Sequence, residues 1–148
     1  TMAFRTSLVT ITLFVIIKTQ MCLSEFNRHS FPKGFVFGTA SSAFQYEGAV
    51  KEDGRGSSIW DTFSHSPGKI LGNTNADVAV DQYLRYQEDT ELMKDMGMDA
   101  YRFSISWTRI FSNGSGLLNQ AGVDHYNKLI DALLAKGKLR QYRKCDSL

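Results

Sequence analysis

The sequence predicts an α/β fold in which parallel strands alternate with helices. Three observations lead to this prediction: an ordinary globular composition, one segment of alternating apolar residues, and two segments with amphipathic helical spacing. Of the 148 residues, 43% are hydrophobic and 22% are charged, which argues against disorder, collagen and coiled coils. The formal net charge of +2 is too small to indicate a nucleic-acid partner.

Residues 1–24 have the pattern of a secretory signal peptide. An arginine precedes the apolar run Leu8–Ile17, which as a helix would cover about 15 Å, half of a hydrocarbon core of about 30 Å. We expect cleavage before Glu25, which leaves Cys145 as the only cysteine and excludes an internal disulfide. The alternative is a buried N-terminal helix or strand. The signal predicts the secretory pathway (extracellular, vacuolar or endoplasmic reticulum) and no membrane association after cleavage.

A short apolar segment, Phe35–Phe37, predicts the first strand, and a run of small residues follows it. Small side chains at a strand end let a ligand or a second backbone approach closely, although a tight turn without a ligand has the same composition. Gln45 and Glu47 come just after this strand, where barrel folds place ligand groups. An amide both donates and accepts, which suits two adjacent hydroxyls such as those of a sugar. The carboxylate of Glu47 could assist the amide or could only tie down the loop.

Two helices and a long loop are predicted downstream of this segment. Residues 51–77 are rich in Gly, Ser, Asp and Asn and predict a long loop, ordered by its aromatic residues. Val80–Met96 has helical spacing, with an aspartate available as N-cap and Gly97 at its end. The apolar residues of Val123–Leu134 predict a second amphipathic helix, which Gly137 ends.

Between the two helices, Ala100–Trp107 alternates apolar and polar side chains, as a strand does. Arg102 is on the polar side. A guanidinium between two apolar layers needs a carboxylate or a cluster of carbonyls, and no acidic residue is obviously assigned to it. The alternative is an exposed arginine at a sheet edge.

Few other residues indicate chemistry. The sequence has no metal-spaced His/Cys set, no phosphate loop and no Ser/His/Asp arrangement, so we predict no metal site and no cofactor. The histidines stand among polar residues and are predicted at the surface: His29, His65 and His125. Asn113 begins the glycosylation sequon Asn-Gly-Ser, which is plausible on a secreted chain.

The element order is strand, loop, helix, strand, loop, helix, which predicts parallel strands joined by right-handed crossovers. Two strands and two helices cannot cover both faces of a parallel sheet, and both strands would be edges. Residues 138–148 have no strand pattern and contain four closely spaced basic residues, so we predict a divergent, solvated basic tail. A contact with nucleic acid is the weaker alternative for this tail.

Several segments together resemble glycoside hydrolase family 1, the β-glucosidase family, and its plant members above all. The likeness runs from about Phe31 to Gly137, with a departure at Leu84, where many members carry His. The segments that carry it are the N-terminal signature Phe35–Gly48, the next blocks Ser58–Phe63 and Tyr83–Asp89, and the second barrel strand Tyr101–Trp107.

The resemblance implies an eight-stranded β/α barrel, of which residues 25–137 would supply the first two βα units. It implies hydrolysis of terminal, non-reducing β-D-glucosyl residues with retention. Gln45 matches the glutamine that hydrogen-bonds hydroxyls of the bound glucose. Arg102 matches the arginine that pairs with the catalytic nucleophile from a late strand.

The resemblance also implies what the chain lacks. Retaining glycosidases use two carboxylates, which this family takes from an Asn-Glu-Pro and a Glu-Asn-Gly block, and neither string occurs in the sequence. We therefore predict no catalytic residue in this chain, and we expect a truncated, inactive β-glucosidase. The alternatives are a secreted, non-catalytic fragment that binds sugars or partners, and a fragment of a thioglucosidase (myrosinase).

Overall fold

The computed structural model describes residues 27–137 and the backbone of residues 140–146. The predicted signal peptide and its cleavage site lie outside the described residues. The chain divides into two compact units, Thr1–Phe35 and Val36–Leu148. In the described part of the first unit, the 3-10 helix Arg28–Ser30 begins at Asn27, whose side chain accepts a hydrogen bond from the His29 amide.

The second unit contains a three-stranded parallel sheet whose strand order follows the chain. The strands are β1 (Gly38–Ala40), β2 (Ala100–Ser106) and β3 (Arg140–Asp146). The prediction of parallel strands joined by helices is confirmed.

Strand β1 lies in the run of small residues and not in the apolar segment Phe35–Phe37 that precedes it. The prediction of its position is therefore wrong by three residues. A Cβ atom on Gly38 would lie 3.1 Å from the carbonyl oxygen of Ala100, so the small side chains are what lets this segment approach β2. Val36 stays 44% exposed.

Strand β3 corrects the prediction of a tail without a strand and of only two strands in the sheet. Its residues pair with β2 in parallel, from Ala100 opposite Arg140 to Ser106 opposite Asp146. The prediction was based on the lack of apolar alternation in residues 138–148. Strand pairing, however, uses hydrogen bonds between backbone groups, and the edge of β2 offers those groups whatever side chains the added strand carries. Strand β2 is consequently the central strand.

Within the residues that the structure describes, four α-helices connect and follow the strands. The first of them, α1, lies inside the predicted long loop, because Ser58 and Asp61 form a capping box that begins it. The predicted helix Val80–Met96 is confirmed as α2 with a slightly shorter span, and Gly97 after it has a φ of 67°. The helices are α1 (Ile59–His65), α2 (Gln82–Asp95), α3 (Trp107–Ile110) and α4 (Gln120–Ala135).

The hydrophobic core lies between β2 and the two long helices, α2 and α4. Tyr101 and Phe103 of β2 point into it. The predicted apolar face of α2 is only partly correct, since Leu84, Leu92 and Met96 are more than half exposed. The buried core residues are Met93, Tyr101, Phe103, Tyr126, Leu129 and Leu133.

Both long helices therefore cover the same face of the sheet, the one that carries Tyr101 and Phe103. Helices on one face are typical of crossovers that progress in one direction along the sheet, as in the wall of a barrel, whereas a doubly wound sheet has helices on both faces. Among the described residues, no helix has the length and apolar character needed to cross a membrane.

Candidate functional site

A short π-helix, Ala43–Glu47, follows β1 and contacts both β2 and the helices of the core. The backbone N–H of Ala43 donates to Ser104 Oγ at 2.7 Å. Because side chains alternate along a strand, Ser104 and Arg102 share the face that the long helices leave free. The first residue of the π-helix therefore contacts the face of β2 that also carries Arg102.

Gln45 and Arg102 are both exposed. Gln45 Oε1 accepts a hydrogen bond from Ser42 Oγ at 2.8 Å. Arg102 lies opposite Ala40, the last residue of β1, in the strand register. Within residues 27–137, no carboxylate forms an ion pair with Arg102. Arg102 is exposed, as in the second interpretation from the sequence, but β2 is the central strand, so the arginine does not lie at a sheet edge.

Glu47 is buried and ties down the segment that it ends, which is the second of the two roles considered for it. Its Oε2 accepts from Arg109 Nε at 2.7 Å, and its Oε1 accepts from the Tyr126 hydroxyl at 2.7 Å. Only 6% of its surface is exposed. Both oxygens are occupied, so Glu47 has no free oxygen to offer a ligand.

Arg109 is the centre of this buried network and has only 1% of its surface exposed. Besides Glu47, its guanidinium donates to the carbonyl of Gly48 at 2.8 Å and lies 3.7 Å from the centre of the Tyr83 ring. The Tyr83 hydroxyl in turn donates to Asp53 Oδ2 at 2.6 Å. Arg109 was not predicted from the sequence as a site residue; the available signal was a charged residue among the apolar side chains of residues 107–111.

The two tyrosines of the network remain protonated. Burial and the nearby carboxylates raise the pKa of Tyr83 and of Tyr126 above the ordinary value. Their hydroxyls therefore donate to Asp53 and Glu47 across the whole physiological range of pH.

His125 corrects the prediction that all three histidines are at the surface, since it is 8% exposed, whereas His29 and His65 are exposed. Its ring stacks on Tyr83 with centroids 3.9 Å apart. Burial, followed by the charge of Arg109, lowers the pKa of His125 to about 4. The imidazole is consequently neutral at physiological pH.

Asp61 is the other buried carboxylate near the π-helix, and it is also fully engaged. It accepts from the backbone and hydroxyl of Ser58 and pairs with Arg55 at 2.9 Å. Burial opposes ionisation, but the hydrogen bonds from Ser58 and the charge of Arg55 prevail and lower the pKa of Asp61. A general acid needs a raised pKa, so Asp61 does not have the properties of one.

Two further predictions concern metals and glycosylation. Residues 27–137 contain no group of three or more His, Cys, Asp or Glu side chains arranged to hold a metal ion. Asn113 is exposed in the loop between α3 and α4. The Trp107 indole donates to the carbonyl of Gly114 at 2.8 Å, which fixes the sequon loop at its second residue.

The sequence profile of glycosyl hydrolase family 1 matches residues 27–140. The chain is 74% identical over 120 residues to β-glucosidase 40 of Arabidopsis thaliana, covering 81% of this chain and 23% of that protein. It is 56% identical over 124 residues to coniferin β-glucosidase of Pinus contorta, covering 84% of this chain and 24% of that protein.

Solved structures of β-glucosidases have the same fold over this segment. A rice β-glucosidase superposes with a TM-score of 0.76 at 70% identity, covering 81% of this chain and 25% of that chain. The Thermotoga maritima β-glucosidase bound to a substituted glucoimidazole superposes with a TM-score of 0.75 at 47% identity, covering 79% of this chain and 26% of that chain. The chain spans about a quarter of the length of the relatives it matches. On the profile match and these identities, the chain belongs to glycosyl hydrolase family 1.

Proposed function

We propose that residues 27–137 form one part of an active site that hydrolyses terminal, non-reducing β-D-glucosyl residues with retention. The observation that supports it is the exposure of Gln45 and Arg102 near the carboxyl end of β1: Gln45 lies on the π-helix that follows β1, and Arg102 pairs with Ala40, the last residue of β1. The curated relatives are β-glucosidases, and a rice β-glucosidase variant has been solved in a covalent complex with Glc.

In this proposal Gln45 binds the sugar. Ser42 donates to the amide oxygen, so the side chain is oriented before a ligand arrives. The amide nitrogen then donates to one hydroxyl of glucose, while the second lone pair of Oε1 accepts from a neighbouring hydroxyl.

Arg102 supports the nucleophile. A guanidinium pairs with a carboxylate through two parallel N–H donors and favours the ionised form, which the nucleophile of a retaining glycosidase needs. The nucleophile and the acid/base are supplied by chain outside residues 27–137. Within that range, the buried carboxylates Glu47 and Asp61 already have partners.

We also propose entry into the secretory pathway and a glycan on Asn113. Expression in a secretory plant or yeast host, followed by N-terminal sequencing and glycosidase treatment, tests both. We expect a mature chain that begins at Glu25 and loses mass when the glycan is removed. A secreted chain that retains Met2, or one that is unchanged by the treatment with Asn113 unmodified, contradicts the respective proposal.

The role of Gln45 is tested in a full-length hybrid enzyme, in which residues 27–137 replace the equivalent segment of the rice β-glucosidase. Gln45→Ala should lower kcat/KM for an aryl β-D-glucoside. The fall should correspond to a loss of about 2–3 kcal/mol in transition-state stabilisation, since two hydroxyl contacts contribute about 1–1.5 kcal/mol each. Gln87→Ala, at an exposed glutamine of α2, is the matched control and should leave kcat/KM unchanged. Unchanged activity per folded molecule in Gln45→Ala, with only a lower melting temperature, assigns Gln45 a structural role.

A further inference from the structure

We propose that the buried ion pair of Arg109 and Glu47 positions Gln45 for sugar binding by fixing the π-helix on which it lies. Gln45 is in the middle of this five-residue element, between Ala43 and Glu47. The inference rests on the proposed role of Gln45, and it assigns a function to two residues that do not touch the sugar.

The π-helix is held at both ends by buried partners on other elements. At its start, the N–H of Ala43 donates to Ser104 Oγ of β2 at 2.7 Å. At its end, Glu47 accepts from Arg109 of α3 and from Tyr126 of α4. A helix of this length does not persist on its own in water, so these anchors decide its geometry. Single π-turns are rare in proteins overall, but those that occur are frequently found at functional sites.

Arg109 also holds the backbone that leaves the π-helix. Its Nη2 donates to the carbonyl of Gly48 at 2.8 Å, beside the Nε bond to Glu47. Gly48 has a φ of 62°, and a Cβ atom there would lie 1.9 Å from the carbonyl oxygen of Val78. The backbone after the π-helix is therefore constrained both by its close packing against Val78 and by the hydrogen bond from Arg109.

The planar guanidinium is the feature that carries this role. Its N–H groups donate to the Glu47 carboxylate and to the Gly48 carbonyl at the same time, while its central carbon lies 3.7 Å from the centre of the Tyr83 ring. A lysine ammonium is a point charge, so it can keep the ion pair with Glu47 but not this set of simultaneous contacts. Arg109→Lys therefore separates fixed geometry from mere charge neutralisation.

The test is a double-mutant cycle in the full-length hybrid enzyme, with kcat/KM measured per folded molecule. Arg109→Lys should lower kcat/KM for the aryl β-D-glucoside by about tenfold or more when Gln45 is present. In the Gln45→Ala background the same change should cost less than about twofold, because the group that it positions is gone. Affinity for a glucoimidazole inhibitor, measured by calorimetry, should follow the same pattern.

Glu47→Gln is a second variant, because the glutamine side chain has nearly the same shape as that of Glu47 but no charge to pair with Arg109. Arg85→Lys, in the exposed pair with Glu88 on α2, is the matched control and should leave both readouts unchanged. Equal losses from Arg109→Lys in both backgrounds would overturn the proposal, and so would failure of both Arg109→Lys and Glu47→Gln to fold, since the pair would then serve folding alone. A parent hybrid that folds but has no activity instead contradicts the proposed function.

Discussion

Two arginines seven positions apart have opposite environments. Arg102 is exposed on the face of β2 opposite the core, whereas Arg109 is 1% exposed and pairs with Glu47 at the end of the π-helix. Burial of a charge is tolerated only with partners, and Arg109 has a carboxylate, backbone carbonyls and an aromatic ring. At the scale of single residues, the accessible arginine is suited to binding and the buried one to holding structure.

His125 should make the hybrid enzyme less stable in acid. Its pKa is about 4 in the folded protein, against an ordinary value of 6.5, with Arg109, Asp53 and Lys128 the charged groups that act on it. The unfolded chain therefore binds more protons between these values, and stability falls as pH falls through this window. From pH 7 to pH 5 the loss should be about 2 kcal/mol, measured by urea unfolding.

The variant His125→Asn isolates this effect, because every other titrating group is shared with the parent. The difference between the free energies of unfolding at pH 7 and pH 5 should shrink by about 2 kcal/mol in the variant. An unchanged difference would mean that His125 titrates normally and is accessible to water.

Gly122 of α4 is a point of close approach to α3. A Cβ atom there would lie 2.1 Å from the carbonyl oxygen of Arg109, a backbone atom that cannot rotate away. Gly122→Ala should therefore destabilise the hybrid enzyme by about 1–3 kcal/mol, although alanine alone favours a helix by about 1 kcal/mol. Thermal unfolding measures it, with the exposed Asn127→Ala as control on the same helix. Equal or raised stability of Gly122→Ala would show that α3 and α4 are not in this contact.

At the scale of elements, caps and anchors outweigh local composition. Helix α1 forms in a segment rich in loop residues because Ser58 and Asp61 satisfy each other's backbone groups at its start. The π-helix has its anchors on β2, α3 and α4. In both cases the element depends on a few named hydrogen bonds.

Ser58→Ala should unravel the start of α1. It removes the side-chain acceptor for the Asp61 N–H and the hydroxyl donor to the Asp61 carboxylate, which stays paired with Arg55. Loss of an N-cap costs about 1 kcal/mol, and the lost carboxylate bond adds to it. We expect a fall of about 1–2 kcal/mol in the free energy of unfolding of the hybrid enzyme. The neighbouring Ser57→Ala is exposed and should be neutral; equal effects of the two changes would refute the capping role.

At the scale of the whole molecule, the two long helices of the described residues cover the same side of the sheet. Helices α2 and α4 pack on the face that carries Tyr101 and Phe103, and Arg102 lies on the opposite face. Large apolar side chains on the outer sides of the helices remain open, among them Leu92, Met96 and Leu134, each more than half exposed. Apolar surface of this kind is typical of a segment that packs against further chain.

A polypeptide consisting of these 148 residues alone should have no glucosidase activity. Retaining hydrolysis needs two carboxylates about 5–5.5 Å apart, and Glu47 and Asp61 are both engaged in buried pairs. Each large apolar side chain that stays in water lowers the free energy of unfolding by about 1.5–3 kcal/mol, whereas the net stability of a whole domain is about 5–15 kcal/mol. We therefore also expect this polypeptide to aggregate.

Residues 25–148, purified from a host without endogenous glucosidase, should show no turnover of an aryl β-D-glucoside above buffer. The full-length hybrid enzyme, assayed beside it, provides the positive control. Activity that copurifies with a cooperatively melting monomer would contradict both the inactivity and the need for further chain.

Periodicity along the chain predicted β2 and α4 and the parallel order of the strands, because local spacing of apolar residues sets these elements. It also predicted the span of α2, but only part of its buried face. The resemblance to the family pointed to Gln45 and Arg102, and the sequence already showed that Arg102 stands on the polar side of its strand. Tertiary structure alone decided the rest. The edge of β2 accepted β3 through backbone hydrogen bonds, which do not depend on side-chain pattern. Arg109, Glu47 and His125 are buried together because three elements meet there, and a contact between residues some sixty positions apart has no local signature.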